Sequence, residues 1–199
     1  MDYFEYRDGV MHAEDVPLPR IADDVGTPVY VYSRATLERH AKVFRDGLAG
    51  VPDKLIAFAV KSNPNLAVLR VLVNQGYGAD CVSIGEVRRA LAAGVEADKI
   101  VFSGVGKTRA ELIAGIEAGI GQFNIESEEE GLELAEIAAE IGAVAQCTLR
   151  INPDVDAGTH DKISTGKADN KFGVPIDQAG QIFGKLAGQA GVFLRGVAV

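Results

Sequence analysis

The fold is decided by the stretch Leu55–Asn65, which reads LIAFAVKSNPN. Six apolar residues run without interruption and end at Lys61, as expected for a parallel strand that is buried on both faces. Five further β-prone runs follow this one, the first four of them at regular spacing, with helical patterns between them. The regular alternation predicts βα units that build a parallel sheet.

The predicted elements extend from this strand to the end of the chain. We predict six strands: Leu55–Val60, Ala79–Val82, Ile100–Phe102, Gln122–Ile125, Ala145–Ile151 and Val192–Val199. We predict five helices between them: Leu66–Gln75, Ile84–Ala93, Arg109–Ala118, Glu128–Ile141 and Ile176–Leu186. This pattern fits either a doubly wound sheet or part of a (β/α)8 barrel, and a barrel needs about 250 residues. The chain stops inside its sixth strand, so we expect an incomplete barrel of about six βα units.

The first 32 residues lie outside the βα series. Val29–Tyr32 is a short β-prone run, which predicts a strand from a separate sheet. Ser33 is a suitable N-cap for a helix over Arg34–Asp46. Two domains are therefore expected, an N-terminal segment over residues 1–32 and the incomplete barrel over residues 33–199.

Composition excludes several classes of protein. The 199 residues carry a formal net charge of −8, which disfavours nucleic acid and acidic membranes as partners. The first residues lack the basic and apolar regions of a signal peptide and no apolar run is long enough to span a bilayer, so we expect neither a signal peptide nor a membrane span. Cys81 and Cys147 lie in apolar or small-residue runs, so we expect buried free thiols and a cytoplasmic location. No histidine or cysteine cluster predicts a metal site.

Four side chains are candidates for chemistry because of where they stand relative to strands. Lys61 ends the first strand and would point into the mouth of a barrel, although a solvated flanking lysine is the commoner case. Asp80 ends a strand and Glu86 begins a helix, where a carboxylate is also favoured by the helix dipole. Arg150 lies near a strand end, either facing a site or forming a structural ion pair.

Gly104–Thr108 ends like a phosphate-binding loop. That motif needs glycine at position 101, where the chain has valine, so we expect a tight strand-to-helix turn instead.

Six segments together resemble the diaminopimelate decarboxylase family, which is a branch of the fold type III pyridoxal-phosphate enzymes. They follow one another in the family's order and cover the chain from about residue 27 to its end. The segments are Phe58–Asn63, Gly78–Ser83 with Gly85 and Glu86, Phe102–Thr108, Phe123–Ser127, Leu149–Pro153, and His160–Gly166 with Lys171–Gly173.

The resemblance implies a barrel of the alanine-racemase-like type that binds pyridoxal 5'-phosphate. It implies that Lys61 binds the cofactor covalently and that Asp80, Glu86 and Arg150 lie near it. Residues 156–172 would form a lid that excludes water, with His160, Lys162 and Thr165 in it. The N-terminal β segment would pack with a separate β-domain that the chain does not contain.

The implied reaction is decarboxylation of meso-2,6-diaminopimelate to L-lysine, so the implied substrate is a small-molecule amino acid. A homodimer with a shared active site is implied for the full-length protein, and residues 1–199 alone are expected to be inactive. Two alternatives stay open. One is another decarboxylase of this fold, acting on ornithine, arginine or carboxynorspermidine, and the other is a non-catalytic barrel that binds the cofactor.

Overall fold

The computed structural model describes residues 2–153 and 172–199. A small antiparallel sheet comes first, formed by β1 (Phe4–Arg7), β2 (Val10–Ala13) and β3 (Val16–Pro17). Helix α1 (Leu18–Val25) follows it, and then α2 (Arg34–Gly47), whose first turn is capped by the side chain of Ser33.

The main sheet is parallel, and six of its strands lie side by side in chain order. These strands are β4 (Ala57–Ala59), β5 (Gly78–Cys81), β6 (Ile100–Phe102), β7 (Gln122–Ile125), β8 (Ala145–Asn152) and β10 (Val192–Ala198). The short β9 (Val174–Pro175) pairs with β8 outside this row. The intervening helices are α3 (Leu66–Asn74), α4 (Ile84–Ala93), α5 (Arg109–Glu117), α6 (Glu128–Ile141) and α7 (Ile176–Ala187). A doubly wound sheet reverses its strand order at a switch point, whereas a barrel does not, so the sequential order indicates barrel topology.

The two faces of this sheet have different chemistry. Cys81, Phe102, Phe123 and Leu149 are fully or almost fully buried and pack with the helices in one hydrophobic core. Because side chains alternate along a strand, their neighbours point to the opposite face, which we call the inner face. The inner face carries polar side chains: Asp80 on β5, Gln122 and Asn124 on β7, and Thr148 and Arg150 on β8.

The predicted strands and helices of the βα series are confirmed, with boundaries that differ by at most two residues. The N-cap of α3 is Asn65, whose Oδ1 accepts from the amide of Ala67 at 2.8 Å. Within residues 2–153 and 172–199, no helix combines the length and apolar character that a membrane crossing requires.

The strand predicted at Val29–Tyr32 is wrong. These residues pair with no strand in the described part of the chain, and Tyr30 is 88% exposed. The separate sheet lies earlier, over residues 4–17. Asp8 and Gly9 connect its first two strands with φ angles of 49° and 78°. Two consecutive positive φ values suit a two-residue hairpin turn, and Asp-Gly is a favoured pair there.

Helix α6 offers a matched test of the core. Ile137 is 1% exposed, whereas Ile141, one turn later in the same helix, is 46% exposed. We expect Ile137→Ala to lower the free energy of unfolding by about 2–5 kcal/mol, because it leaves a cavity. Ile141→Ala is expected to cost less than about 1 kcal/mol. Urea denaturation of both variants measures the difference, and equal losses would contradict the assigned packing of α6.

Candidate active site at the carboxyl ends of the parallel strands

Lys61 lies at the carboxyl end of β4, in a single 3-10 turn over Val60–Ser62. Val60 is buried in the core and fixes this turn, while Ser62 Oγ donates to the carbonyl oxygen of Ala59 at 2.7 Å. The side chain of Lys61 is exposed, and its amine has no hydrogen-bond partner among residues 2–153 and 172–199. Catalytic groups in barrel enzymes occupy this end of the strands.

Asp80 belongs to a continuous set of hydrogen bonds that joins β5, the residue after β6, β7 and β8. Ser103 Oγ donates to Asp80 Oδ1 at 2.6 Å, and Asn124 Nδ2 donates to Ser103 Oγ at 2.9 Å. Thr148 Oγ1 and Gln122 Nε2 each donate to Asn124 Oδ1 at 2.7 Å. We call these five residues the inner-face network. Of its members, only Asp80 was predicted as a site residue from the sequence.

Glu86 bonds within its own strand-to-helix turn. Its Oε2 accepts from the backbone amide of Val82 at 2.8 Å, beside the N-cap Ser83 of α4. This contact is the capping role that a carboxylate in a first helical turn often has. A role for Glu86 near the cofactor stays a prediction.

Arg150 is paired with Glu126, which was not predicted as a site residue from the sequence. Arg150 Nη1 lies 2.9 and 3.3 Å from the two Glu126 oxygens, and its guanidinium lies 4.9 Å from the ring centroid of Phe172. Glu126 is only 5% exposed and also accepts from the backbone amides of Gly104 and Gly173. One buried carboxylate thus joins three loops at this end of the sheet.

The turn Gly104–Thr108 is structural, as expected. Gly104 has a φ of 98°, and a Cβ there would lie 3.2 Å from the carbonyl oxygen of Val82. Lys107 Nζ donates to the carbonyl oxygens of Gly104 and Asn124, both at 2.8 Å, and to Glu130 Oε1 at 2.6 Å. With these three acceptors its ammonium is fully occupied and unavailable to a phosphate. Burial raises the pKa of the Glu130 carboxyl above its ordinary value, although Lys107 opposes the rise.

The lid residues His160, Lys162 and Thr165 lie outside the described residues, as does most of the 156–172 segment. Neither residues 2–153 nor residues 172–199 contain a group of three acidic, histidine or cysteine side chains suited to a metal ion. Cys81 and Cys147 are buried free thiols, and burial raises the pKa of each to about 12.

The side chains present fit an aldehyde cofactor. An aldehyde requires a primary amine as its attachment point, and Lys61 presents one at the catalytic end of the sheet. Lys107 at the same end is already bonded to three acceptors. Asp80 on the neighbouring strand supplies an acceptor, and Arg150 supplies a guanidinium that is about one-fifth exposed.

Comparison with known proteins identifies the class of this site. Residues 34–199 match the family described as "Pyridoxal-dependent decarboxylase, pyridoxal binding domain", and the chain belongs to this family. The family's cofactor is pyridoxal phosphate. Among curated relatives, the chain is 52% identical over 187 residues to the diaminopimelate decarboxylase of Pseudomonas aeruginosa. It is 53% identical over 184 residues to that of Vibrio cholerae.

The alignments cover most of this chain but less than half of each relative. The two alignments cover 94% and 92% of this chain but 45% and 44% of the relatives. The chain therefore spans about half the length of the curated relatives it matches.

Solved structures agree with the expected fold class. Diaminopimelate decarboxylase from M. jannaschii, in co-complex with L-lysine, superposes with a TM-score of 0.87 at 36% identity. That match covers 98% of this chain and 46% of the other. A lysine/ornithine decarboxylase from Vibrio vulnificus, at 18% identity and a TM-score of 0.69, shares the fold. The described residues thus supply six parallel strands of a fold type III barrel and a separate N-terminal sheet.

The Lys107–Glu130 pair gives a test of the site's framework. We expect Lys107→Met to lower the free energy of unfolding by about 3–5 kcal/mol, because it leaves Glu130 buried and uncompensated. The pKa of Glu130 is raised in the folded state, so protonation favours folding, and this contribution fades as pH rises through the folded pKa. Because Lys107 opposes this rise, its removal raises the pKa of Glu130 further, so the loss should shrink as pH is lowered and Glu130 becomes protonated in the variant.

The double variant Lys107→Met/Glu130→Met is the control, because it removes both charges together. We expect it to recover most of the lost stability in urea denaturation at pH 7. A double variant as unstable as Lys107→Met would contradict the pairing.

Proposed function

We propose that the complete gene product is a pyridoxal-phosphate-dependent decarboxylase that converts meso-2,6-diaminopimelate to L-lysine and carbon dioxide. The observation that carries this proposal is the position of Lys61, an exposed amine at the carboxyl end of β4 in a pyridoxal-binding domain. Relatives named diaminopimelate decarboxylase, at 52% and 53% identity, support the choice of substrate.

Each site residue has a proposed part. Lys61 binds the cofactor through Nζ, and the cofactor, when bound, supplies an electron sink for the bond that breaks. Asp80 is a fixed acceptor on the strand next to Lys61. Arg150, held by Glu126, presents the rest of its guanidinium toward polar groups of cofactor or substrate. Glu86 holds the turn after β5, next to the cofactor.

The competing function is a decarboxylase of the same fold with another substrate. The lysine/ornithine decarboxylase and an arginine decarboxylase of a Chlorella virus superpose on this chain at only 18% and 22% identity. The much higher identity to diaminopimelate decarboxylases favours diaminopimelate over ornithine, arginine and carboxynorspermidine. A non-catalytic barrel that binds the cofactor is disfavoured by the same relatives.

We propose a homodimer with a shared active site, and a β-domain that packs against the sheet of residues 4–17. Exposed aromatic side chains, including Tyr6 and Tyr30, would be covered by that packing. Residues 156–172, with His160, Lys162 and Thr165, would close over the site. Buried free thiols at Cys81 and Cys147 suit a cytoplasmic protein.

A substrate panel tests the proposed reaction. We expect carbon dioxide release by the complete gene product to favour meso-2,6-diaminopimelate over ornithine, arginine and carboxynorspermidine. The kcat/KM for meso-2,6-diaminopimelate should exceed that for each other substrate by at least about a hundredfold. A site that forms hydrogen bonds to the second polar end of diaminopimelate has unpaired polar groups when a substrate without that end is bound. Residues 1–199 alone should release none.

Two lysine variants serve as controls for this panel. Lys61→Ala should lower turnover by several orders of magnitude, because the covalent attachment point is gone. Lys54→Ala, which removes an exposed lysine bonded to the carbonyl oxygen of Val51, should leave turnover unchanged. A higher kcat/KM for ornithine would replace the proposed substrate, and full turnover by Lys61→Ala would overturn the mechanism.

A further inference from the structure

The hydrogen bonds of the inner-face network run in one direction, and Asp80 sets that direction. Two oxygens 2.6 Å apart must share a proton, and an ionised carboxylate has none to give. Ser103 therefore commits its only hydroxyl proton to Asp80 Oδ1. The Ser103 oxygen can then only accept hydrogen bonds, which explains why Asn124 donates to it from Nδ2 at 2.9 Å.

The orientation of Asn124 determines the rest. With Nδ2 directed at Ser103, its Oδ1 faces Thr148 Oγ1 and Gln122 Nε2, and both must donate. Thr148 is 7% exposed and the other members are half-buried, so water can replace these donors only in part. Reversing any one amide would turn the next hydroxyl away from Asp80.

The network ends at Asp80, on the strand next to the one that leads into Lys61. Strand β5 pairs with β4, and Asp80 is the Cα partner of Ala59, two residues before Lys61. Among residues 2–153 and 172–199, Asp80 accepts a side-chain or backbone donor at Oδ1 alone. Its second oxygen, Oδ2, is left as an acceptor for a cationic nitrogen at this end of the sheet.

We propose that Ser103, Asn124, Gln122 and Thr148 are positioning residues, which act through Asp80 on the amine of Lys61 and on the cofactor that it binds. This inference rests on the proposed function. The four residues fix the rotamer of Asp80 and leave its Oδ2 free to accept a hydrogen bond. They are not catalytic residues, because they act only through Asp80.

A substitution that keeps the shape of the side chain but replaces an amide nitrogen with a carboxylate oxygen reverses the direction of the hydrogen bonds. In Asn124→Asp the new carboxylate cannot donate to Ser103, so the Ser103 hydroxyl turns toward residue 124 and Asp80 loses its donor. Gln122→Glu has the same effect through Asn124, whose Nδ2 then turns toward the new carboxylate. We expect both variants of the complete gene product to bind pyridoxal phosphate about tenfold or more weakly.

Binding is measured on the cofactor-free form by titration of the visible absorbance. A second readout is the yield of borohydride-stable adduct at Lys61, which should fall in parallel. Both are independent of turnover, and a merely structural loss would appear as a lower Tm with unchanged affinity in the folded fraction.

Gln146→Glu is the matched control. Gln146 lies two residues before Thr148 on the same face of β8 and takes no part in the network. It adds the same charge to the same face and should bind within about twofold of wild type. Should Asn124→Asp fail to fold, Thr148→Val removes one donor without changing shape and should still weaken binding severalfold.

The outcomes separate this inference from the proposed function. Wild-type protein without a Lys61 adduct would overturn the proposed function. The inference about the network alone would be overturned by a different result. In that result the wild-type protein forms the Lys61 adduct, and the cofactor affinities of Asn124→Asp, Gln122→Glu and Thr148→Val equal that of Gln146→Glu.

Discussion

The whole site depends on one constraint, the pairing of polar groups on the inner face of the sheet. The helices cover one face with apolar side chains, so alternation sends Asp80, Asn124 and Thr148 to the other. Polar groups withdrawn from water must bond to one another. A one-residue slip of β7 would move Asn124 into the hydrophobic core and break both the packing and the network. The register of the strands therefore fixes fold and site together.

Much of the fold could be predicted from the sequence because its local and global preferences agree. Near-continuous apolar runs predicted the parallel strands, and Ser33 and Ser127 cap helices where polar residues precede apolar periodicity. The prediction at Val29–Tyr32 failed because β-propensity is local, whereas a strand needs a partner. The hairpin over residues 4–13 carries a local signal in Asp8-Gly9, the pair typical of its two-residue turn.

Less of the candidate site could be predicted from the sequence, because its hydrogen-bonded side chains belong to different βα units. Ser103 follows Asp80 by 23 residues, Asn124 follows Ser103 by 21, and Thr148 follows Asn124 by 24. Arg150 and Glu126 are likewise 24 residues apart. These separations equal about one βα unit, so polar residues that recur at the unit's period were an available signal. Resemblance to a family pointed to Lys61, Asp80, Glu86 and Arg150, but only the register revealed Ser103 as the partner of Asp80 and Glu126 as the partner of Arg150.

The central claim is that the amine of Lys61 is the attachment point of pyridoxal phosphate, and peptide mapping tests it most directly. The complete gene product would be loaded with the cofactor, reduced with borohydride and digested, and its lysine adducts located by mass spectrometry. The account predicts the adduct on the peptide that contains Lys61. An adduct on Lys54 or Lys107, with Lys61 unmodified, would contradict it.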